Sequence, residues 1–273
     1  MSRLFPKTGE KKCVAGKLKK IMRDFVRKDS IVRRIWGDPD LILLVFAGSA
    51  AEFALNRAVD WLFFTGKIPQ DPIGRFFSTV AYAQKIVFAD ESRAEEIIGR
   101  INAIHAGVEQ SRAQKIPDWA YRDVLYMLID YSKRAFELLH RPLTNDERAE
   151  LYATFRRVGE IMNIPKLPDE YAEWQKDRRL HLVRDLEYTT CTKDLYDQYR
   201  LHLGEWRYRL LLDVQALIAP RRVRRLLNLS AVNPLSYLIW SYGYIEALGL
   251  QTLVRSALLP PEHRQAVERL NLH

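Results

Sequence analysis

Two cysteines in 273 residues, Cys13 and Cys191, are too few for a disulfide framework of the kind small secreted domains use in place of a large core. A reducing compartment fits that scarcity. No Cys-x-x-Cys pair occurs, and neither does a Gly-x-Gly-x-x-Gly, a Gly-x-x-x-x-Gly-Lys-[Ser/Thr], a His-Glu-x-x-His or a Gly-x-Ser-x-Gly. Those absences remove the thiol-redox, dinucleotide-binding, P-loop, zincin and α/β-hydrolase signatures. A di-iron carboxylate site in a helical bundle needs two Glu-x-x-His motifs and two further glutamates. The chain has one such motif, Glu137 to His140, directly before Arg141-Pro142, where a histidine complements the dipole of a helix end.

Basic bias is also missing from most of the chain. Twelve of the 43 Lys/Arg and three of the 34 Asp/Glu fall in the first 34 residues, so the formal charge of +9 is carried there and residues 35–273 are neutral. A nucleic-acid groove needs cations clustered on the folded body together with a reading motif, and neither is present, so no nucleic-acid partner is expected. The N-terminus carries Lys7, Lys11, Lys12 and Lys17 without an apolar run of about 7 to 15 residues before a small-residue cleavage site. The expectation is a protein of the cytoplasmic side.

Sustained period-2 alternation bounded by turn dipeptides is absent too, and no repeat recurs at a fixed period. What is present instead is helical. The apolar fraction of 48% and charged fraction of 28% are those of a globular protein, and no Gly/Ser/Pro-rich linker divides the chain, so one large domain is expected. Asp71-Pro72 has the form of an N-cap with proline at the first helical position, opening a helix to about Phe88. Asp90-Glu91 starts the next, which runs past His105 toward Arg112. Pro117-Asp118 opens a third, to about Leu139. Thr144 and Glu147 form a capping box ahead of a helix to Met162, and Pro168-Asp169-Glu170 begins another reaching about Tyr188. Ala47 to Phe64 reads as one helix rich in small residues, and Lys193 to Leu217, Pro220 to Leu227 and Pro261 to Leu270 as further helices. The fold class is therefore all-α.

Two segments bear on membranes. Residues 17–28 place Leu18, Ile21, Met22, Phe25 and Val26 on one face of a basic amphipathic helix. Such a helix either lies on an anionic membrane surface or packs its apolar stripe on the body, so peripheral membrane contact is one expectation for it. Pro234 to Pro260 is the most apolar stretch, but Glu246, Gln251 and several hydroxyls interrupt the roughly 20 apolar residues a spanning helix requires. A buried or interfacial helix at 234–259 is the expectation, because a mid-span carboxylate is costly.

One histidine stands out. Ile97, Ile98, Ile101 and Val108 share a helical face with His105, so its imidazole projects from an apolar stripe, and Ala106 and Gly107 beside it would let a flat ligand approach the backbone. One neutral imidazole on a rigid element beside an apolar slot is what haem ligation asks of a sequence. A histidine satisfied within a core has the same spacing. On the preceding helix Arg75 and Thr79 are i and i+4 and share a face, with Tyr82 a turn beyond. They are polar groups suited to a pocket rim, or a surface arginine and a threonine bonded back to the carbonyl of Arg75.

Arg75-x-x-x-Thr79, the helix end at Val87-Phe88, the acidic helix start and His105 thirty residues after the arginine resemble the central motif of the MpaB and latex-clearing (rubber) oxygenase family. The similarity runs from about Trp36 to Leu180. It takes in Asp71-Pro72, Trp119 with Asp123, Arg141-Pro142-Leu143-Thr144, Arg157-Val158-Gly159, Ile164-Pro165 and Leu167-Pro168, in the family's order.

The resemblance implies a globin-like, multi-helix single domain with a haem pocket between central helices. The implied core is 36–190, flanked by a basic arm at 1–35 and C-terminal helices at 191–273. It further implies haem b held by His105 as proximal iron ligand, with Arg75 and Thr79 lining the pocket. The implied activity is oxygenase chemistry, dioxygen acting on a hydrophobic, unsaturated, isoprenoid or lipid-like substrate. Two features depart from the rubber-cleaving members. A lysine precedes their threonine, where this chain has Ser78. Their pocket glutamate has two counterparts here, Asp60 and Glu52, of which Asp60 is the nearer. A haem carrier or sensor, and a haem-free helical scaffold, remain open beside the oxygenase reading.

Overall fold

In the computed structural model, which describes residues 23–64 and 72–230, the regular structure is helical. The helices are α1 (Ile31–Trp36), α2 (Pro39–Leu55), α3 (Asp60–Phe64), α4 (Pro72–Val87), α5 (Glu91–Arg112), α6 (Asp118–Leu139), α7 (Asn145–Ile161), α8 (Tyr171–Arg184), α9 (Thr190–Ile218) and α10 (Arg221–Leu226). Among the described residues no strand forms, and two isolated bridges, Asp24 with Asp90 and Asn56 with Leu186, pin loops to helix ends.

Helix starts follow the capping chemistry. The Asp90 carboxylate accepts from Arg93 N at 3.0 Å and opens α5. At α7 the box is reciprocal: Thr144 Oγ1 accepts from Glu147 N at 3.2 Å and Glu147 Oε2 accepts from Thr144 N at 2.8 Å. Each such cap contributes about 1 kcal/mol by satisfying amides that have no partner within the helix.

α2 lies at the centre. Residues on all its sides are buried, and its most extensive packing is against α6 and then α9. The small-residue run Ala47-Gly48-Ser49-Ala50-Ala51 makes this approach close. A Cβ at Gly48 would stand 2.2 Å from the Tyr131 ring of α6 and 3.1 Å from Ile218 of α9. The main core joins Val32, Ile35 and Trp36 of α1 to Leu41 and Val45 of α2, Ile129 and Phe136 of α6, Phe155 of α7 and Trp174 of α8.

Four sequence expectations are corrected. Residues 17–22 lie outside the described residues, but 23–28 are not helical. Phe25 and Val26 enter the core from a non-helical bend, in which Phe25 N donates to Ala89 O at 2.9 Å. The single helix over Ala47–Phe64 is two, and α2 begins earlier, at Pro39, where Asp38 Oδ1 accepts from Asp40 N at 2.8 Å. The break falls at Asn56, whose backbone is extended. Its side chain accepts from Ala58 N at 2.9 Å and donates to Asp123 Oδ2 at 2.7 Å, replacing helix continuation with tertiary bonds. α8 stops at Arg184 rather than near Tyr188, because Arg57 N donates to Asp185 O and Glu187 N to Leu55 O. α9 is interrupted at Gly204, which adopts φ 71°, a region that glycine enters without steric penalty. Residues 234–259 and 261–270 lie outside the described residues. Among those described, no helix is long and apolar enough to cross a membrane.

Candidate functional site

α5 is long, yet its buried residues are Ala94, Ile97 and Ile98, all in its first two turns. Beyond them Ile101, His105 and Val108 are half-buried, while Ile104, Ala106 and Gly107 are exposed. A Cβ at Gly107 would meet nothing within 4 Å. The second half of α5 therefore carries an open apolar face with an imidazole on it. The His105 side chain is half-buried, with its Nδ1 shielded from solvent. Its ring stands edge-on to Tyr121 of α6, with centroids 5.2 Å apart.

Tyr121 is itself fixed. Its hydroxyl donates to Glu109 Oε1 at 3.2 Å, and the same oxygen accepts from Ile116 N at 3.0 Å, tying the end of α5 to the loop and to α6. Burial, then the neighbouring Glu109 charge, raises the Tyr121 phenol well above its ordinary range, so it stays protonated.

α4 packs on α5 and carries Arg75 and Thr79 one turn apart. Thr79 is exposed; the Arg75 side chain lies outside the described residues. Asp60, on α3, receives Arg112 Nη2 at 2.6 Å, and the Arg112 guanidinium also covers the rings of Trp61 at 4.1 Å and Phe64 at 5.4 Å. Arg112 is seven residues beyond His105, hence on its face of α5 and about 10 Å along the axis. Asp60 and His105 thus border the same side of α5, with Arg112 as the partner of Asp60. Phe64, 48% exposed, and Ile104, 44% exposed, add uncovered apolar surface to this side.

These residues fit a flat apolar group with one imidazole ligand. The flanking positions 106 and 107 are small, with open space beyond Gly107, and the exposed side chains nearby are apolar rather than charged.

Glu52, the other sequence candidate, is elsewhere and already engaged. It is fully buried in α2, where Arg178 of α8 donates to its two oxygens at 2.5 and 2.6 Å and Tyr131 donates at 3.1 Å. Arg178 also reaches Asp130 Oδ2 at 3.1 Å. Burial alone would lower the Arg178 pKa, but Glu52 and Asp130 more than offset it, and the guanidinium titrates above its ordinary range. Burial would likewise raise the Asp130 carboxyl, and the charges of Arg178 and Arg134 overcome this and hold it below.

A second buried cluster, unassigned from the sequence, lies between α6 and α8. His181 Nδ1 contacts Asp123 Oδ1 and lies 3.1 Å from Asp185 Oδ2, while Nε2 faces Asp177 Oδ2 at 3.6 Å. Tyr126 donates to Asp177 Oδ2 at 2.7 Å, and Arg184 holds both oxygens of Asp185 at 2.6 Å. Asp123, His181 and Asp185 are all nearly inaccessible to solvent. Asp177, His181 and Asp185 stand at i, i+4 and i+8, a spacing visible in the sequence, but the contribution of Asp123 from another helix is not.

No curated protein matches the chain. The family model for the catalytic domain of ER-bound oxygenase mpaB/B′ and rubber oxygenase matches residues 33–242, which includes α4 with Arg75 and Thr79, α5 with His105, and the Asn56 break that positions α3. That match extends over most of the chain, and together with the all-α architecture it makes the chain a member of the MpaB and rubber oxygenase family.

Proposed function

We propose that this protein is a haem b-dependent oxygenase that uses dioxygen on a hydrophobic, unsaturated substrate of isoprenoid or lipid-like character, with His105 as the iron ligand. The observation that carries the reading is the open apolar half of α5, with the His105 imidazole on it, in a chain of an oxygenase family.

Haem b, when bound, supplies the iron centre that activates dioxygen. The chain supplies the rest. His105 offers a ring nitrogen, and the edge contact with Tyr121, itself anchored by Glu109, fixes the plane of the ring. Arg75 brings a permanent positive charge to α4 and Thr79 a hydroxyl donor one turn on. Together they would suit an anionic group such as a propionate at the rim of the site. Asp60 would be the carboxylate that takes a proton, and the bond from Arg112 must open for it to do so. Ile101, Ile104 and Val108 offer the apolar surface along which a hydrocarbon chain would lie.

The test is a pyridine-haem assay and absorption spectrum of the purified full chain. The expected result is about one haem per chain with a Soret band, and loss of that band in His105→Ala with the helical circular dichroism retained. A colourless protein, or a His105→Ala variant with an unaltered Soret band, overturns the assignment. Oxygen uptake and carbonyl products with squalene- or farnesyl-type substrates then separate an oxygenase from a haem carrier.

A further inference from the structure

We propose that Asp123, His181 and Asp185 form a divalent-cation site for an ion of the zinc type, independent of the haem-binding face. Their three ligand atoms lie within 4.8 Å of one another, and all three residues are buried. The argument begins from the imidazole. Its Nε2 side faces Asp177, a carboxylate oriented by the Tyr126 hydroxyl and by the Tyr126 ring standing edge-on to His181 at 5.2 Å. A proton on Nε2 meets that carboxylate favourably, in the carboxylate–histidine arrangement that sets the tautomer of metal-ligating histidines.

With the proton there, Nδ1 presents a lone pair to Asp123 Oδ1 and Asp185 Oδ2, so three electron-rich atoms converge in a region without solvent. A cation belongs between them, and the Arg184 guanidinium approaches that place from outside, its Nη2 3.4 Å from each ring nitrogen. Formal charges point the same way: Asp123, Asp177 and Asp185 contribute three negative charges and Arg184 one positive, and a divalent ion cancels the remainder. Asn56 Nδ2, bonded to Asp123 Oδ2 at 2.7 Å, turns the other oxygen of that carboxylate toward the histidine.

One imidazole nitrogen and two carboxylate oxygens suit zinc, with bonds of about 2.0–2.2 Å, better than a hard cation that prefers oxygen alone. Tetrahedral bonds of that length set ligand atoms about 3.4 Å apart; Asp185 Oδ2, 3.1 Å from Nδ1, is already near that spacing, whereas the Asp123 carboxylate lies closer and must swing outward to admit the ion and a water. Arg184, half-exposed and bonded to both oxygens of Asp185, is the group that must yield. The ion would tie the end of α8 to α6 and, through Asn56, to the end of α2. Asp123 and Tyr121 are two residues apart on α6 and so lie on opposite sides of it, which places this site across the helix from His105.

The experiment strips the purified full chain with chelator, reloads it with zinc, and counts zinc and iron separately by mass spectrometry, with thermal unfolding as the second readout. The expected result is about one zinc per chain and a midpoint raised by several degrees. Asp123→Asn should drop the zinc content at least tenfold and abolish the shift, while Arg184→Gln, which frees Asp185 from outside the core, should bind zinc more tightly than the unaltered chain. Absence of zinc above the buffer blank in the unaltered chain, or equal zinc in a folded Asp123→Asn protein, overturns the site. Zinc content and haem content are separate measurements, so either proposal can fail alone.

Discussion

Two opposite surfaces of α6 serve different ends. On one, α6 meets α2 and α8 through buried charges: Arg178 bonds Glu52 and Asp130, and His181 meets Asp123. On the other it meets the second half of α5, where no residue beyond Ile98 is buried and His105 touches the edge of Tyr121. The first surface is over-determined, with each polar group held from two sides. The second leaves Ile104, Ala106 and Gly107 exposed beside a half-buried imidazole. A fold that spends its close packing on α2, α6 and α8 gains a rigid frame, and the α4–α5 side is free to be shaped by what it binds.

The sharpest way to break this contrast is Arg178→Met. It leaves Glu52 and Asp130 as uncompensated buried carboxylates, and removal of one partner from a buried pair costs about 3–5 kcal/mol. Urea unfolding should therefore show a loss of that size, or no folded protein at 37 °C. His105→Ala, compared as haem-free protein, should change stability by less than about 0.5 kcal/mol, since it removes a half-exposed side chain. A loss above 2 kcal/mol in the haem-free His105→Ala protein would make His105 a core residue and abolish the distinction.

Glycine substitutions sharpen the same comparison with opposite signs. Gly48→Ala puts a methyl group 2.2 Å from a Tyr131 ring that is fully buried and bonded to Glu52. Overpacking of this kind costs about 1–3 kcal/mol. Gly107→Ala meets nothing within 4 Å in a helix interior and should stabilise by about 0.5–1 kcal/mol. Under the haem reading, a bulkier Gly107→Leu should keep that stability and lose haem occupancy, a combination visible by measuring unfolding and the Soret band on one preparation.

The frame also has a pH signature. The Asp130 carboxyl titrates below the ordinary aspartate value of 3.8, despite burial, because of Arg178 and Arg134. As pH falls, the unfolded chain takes up this proton first. Its stabilisation is thus complete above pH 3.8 and is lost as pH drops through the lower folded-state value. Urea unfolding free energies measured between pH 6 and pH 3 should decline at the acid end, and less steeply in Asp130→Asn. An unaltered slope in that variant would show that Arg178 does not hold the proton balance of the frame.

The sequence made the frame's outline readable and its connections much less so. Helix starts carry their signal locally: Asp90, Thr144 with Glu147, and Pro117-Asp118 each cap or open the helix they announce, since a cap bonds amides two or three residues away. The break at Asn56 was not legible, because the side chain's second bond goes to Asp123, 67 residues distant. Nor was the end of α8, fixed by backbone bonds to Leu55 and Arg57. The same limit governs the sites. His105, Arg75 and Thr79 could be singled out by family pattern, but apolar periodicity alone does not separate a ligand from a core histidine. Asp123 and Asp130, seven residues apart on one face of a largely apolar helix, were the available hint that α6 faces buried cations.

A further small effect is expected at the turn that ends α5. α5 ends at Ala113, which adopts φ 52°, ψ 31°, a left-handed conformation in which an L-residue is strained by about 1–2 kcal/mol. Its amide donates to Gln110 O at 3.2 Å and Gln114 N to Glu109 O at 3.2 Å, so the turn satisfies carbonyls of the last helical turn. Glu109 is also the residue that anchors Tyr121 and Ile116. Ala113→Gly relieves the steric penalty but frees the unfolded chain, leaving a net gain of about 0.5 kcal/mol. Should the variant instead lose stability, the methyl group contributes packing at this turn, and the α5–α6 junction belongs with the rigid frame rather than with the open face it borders.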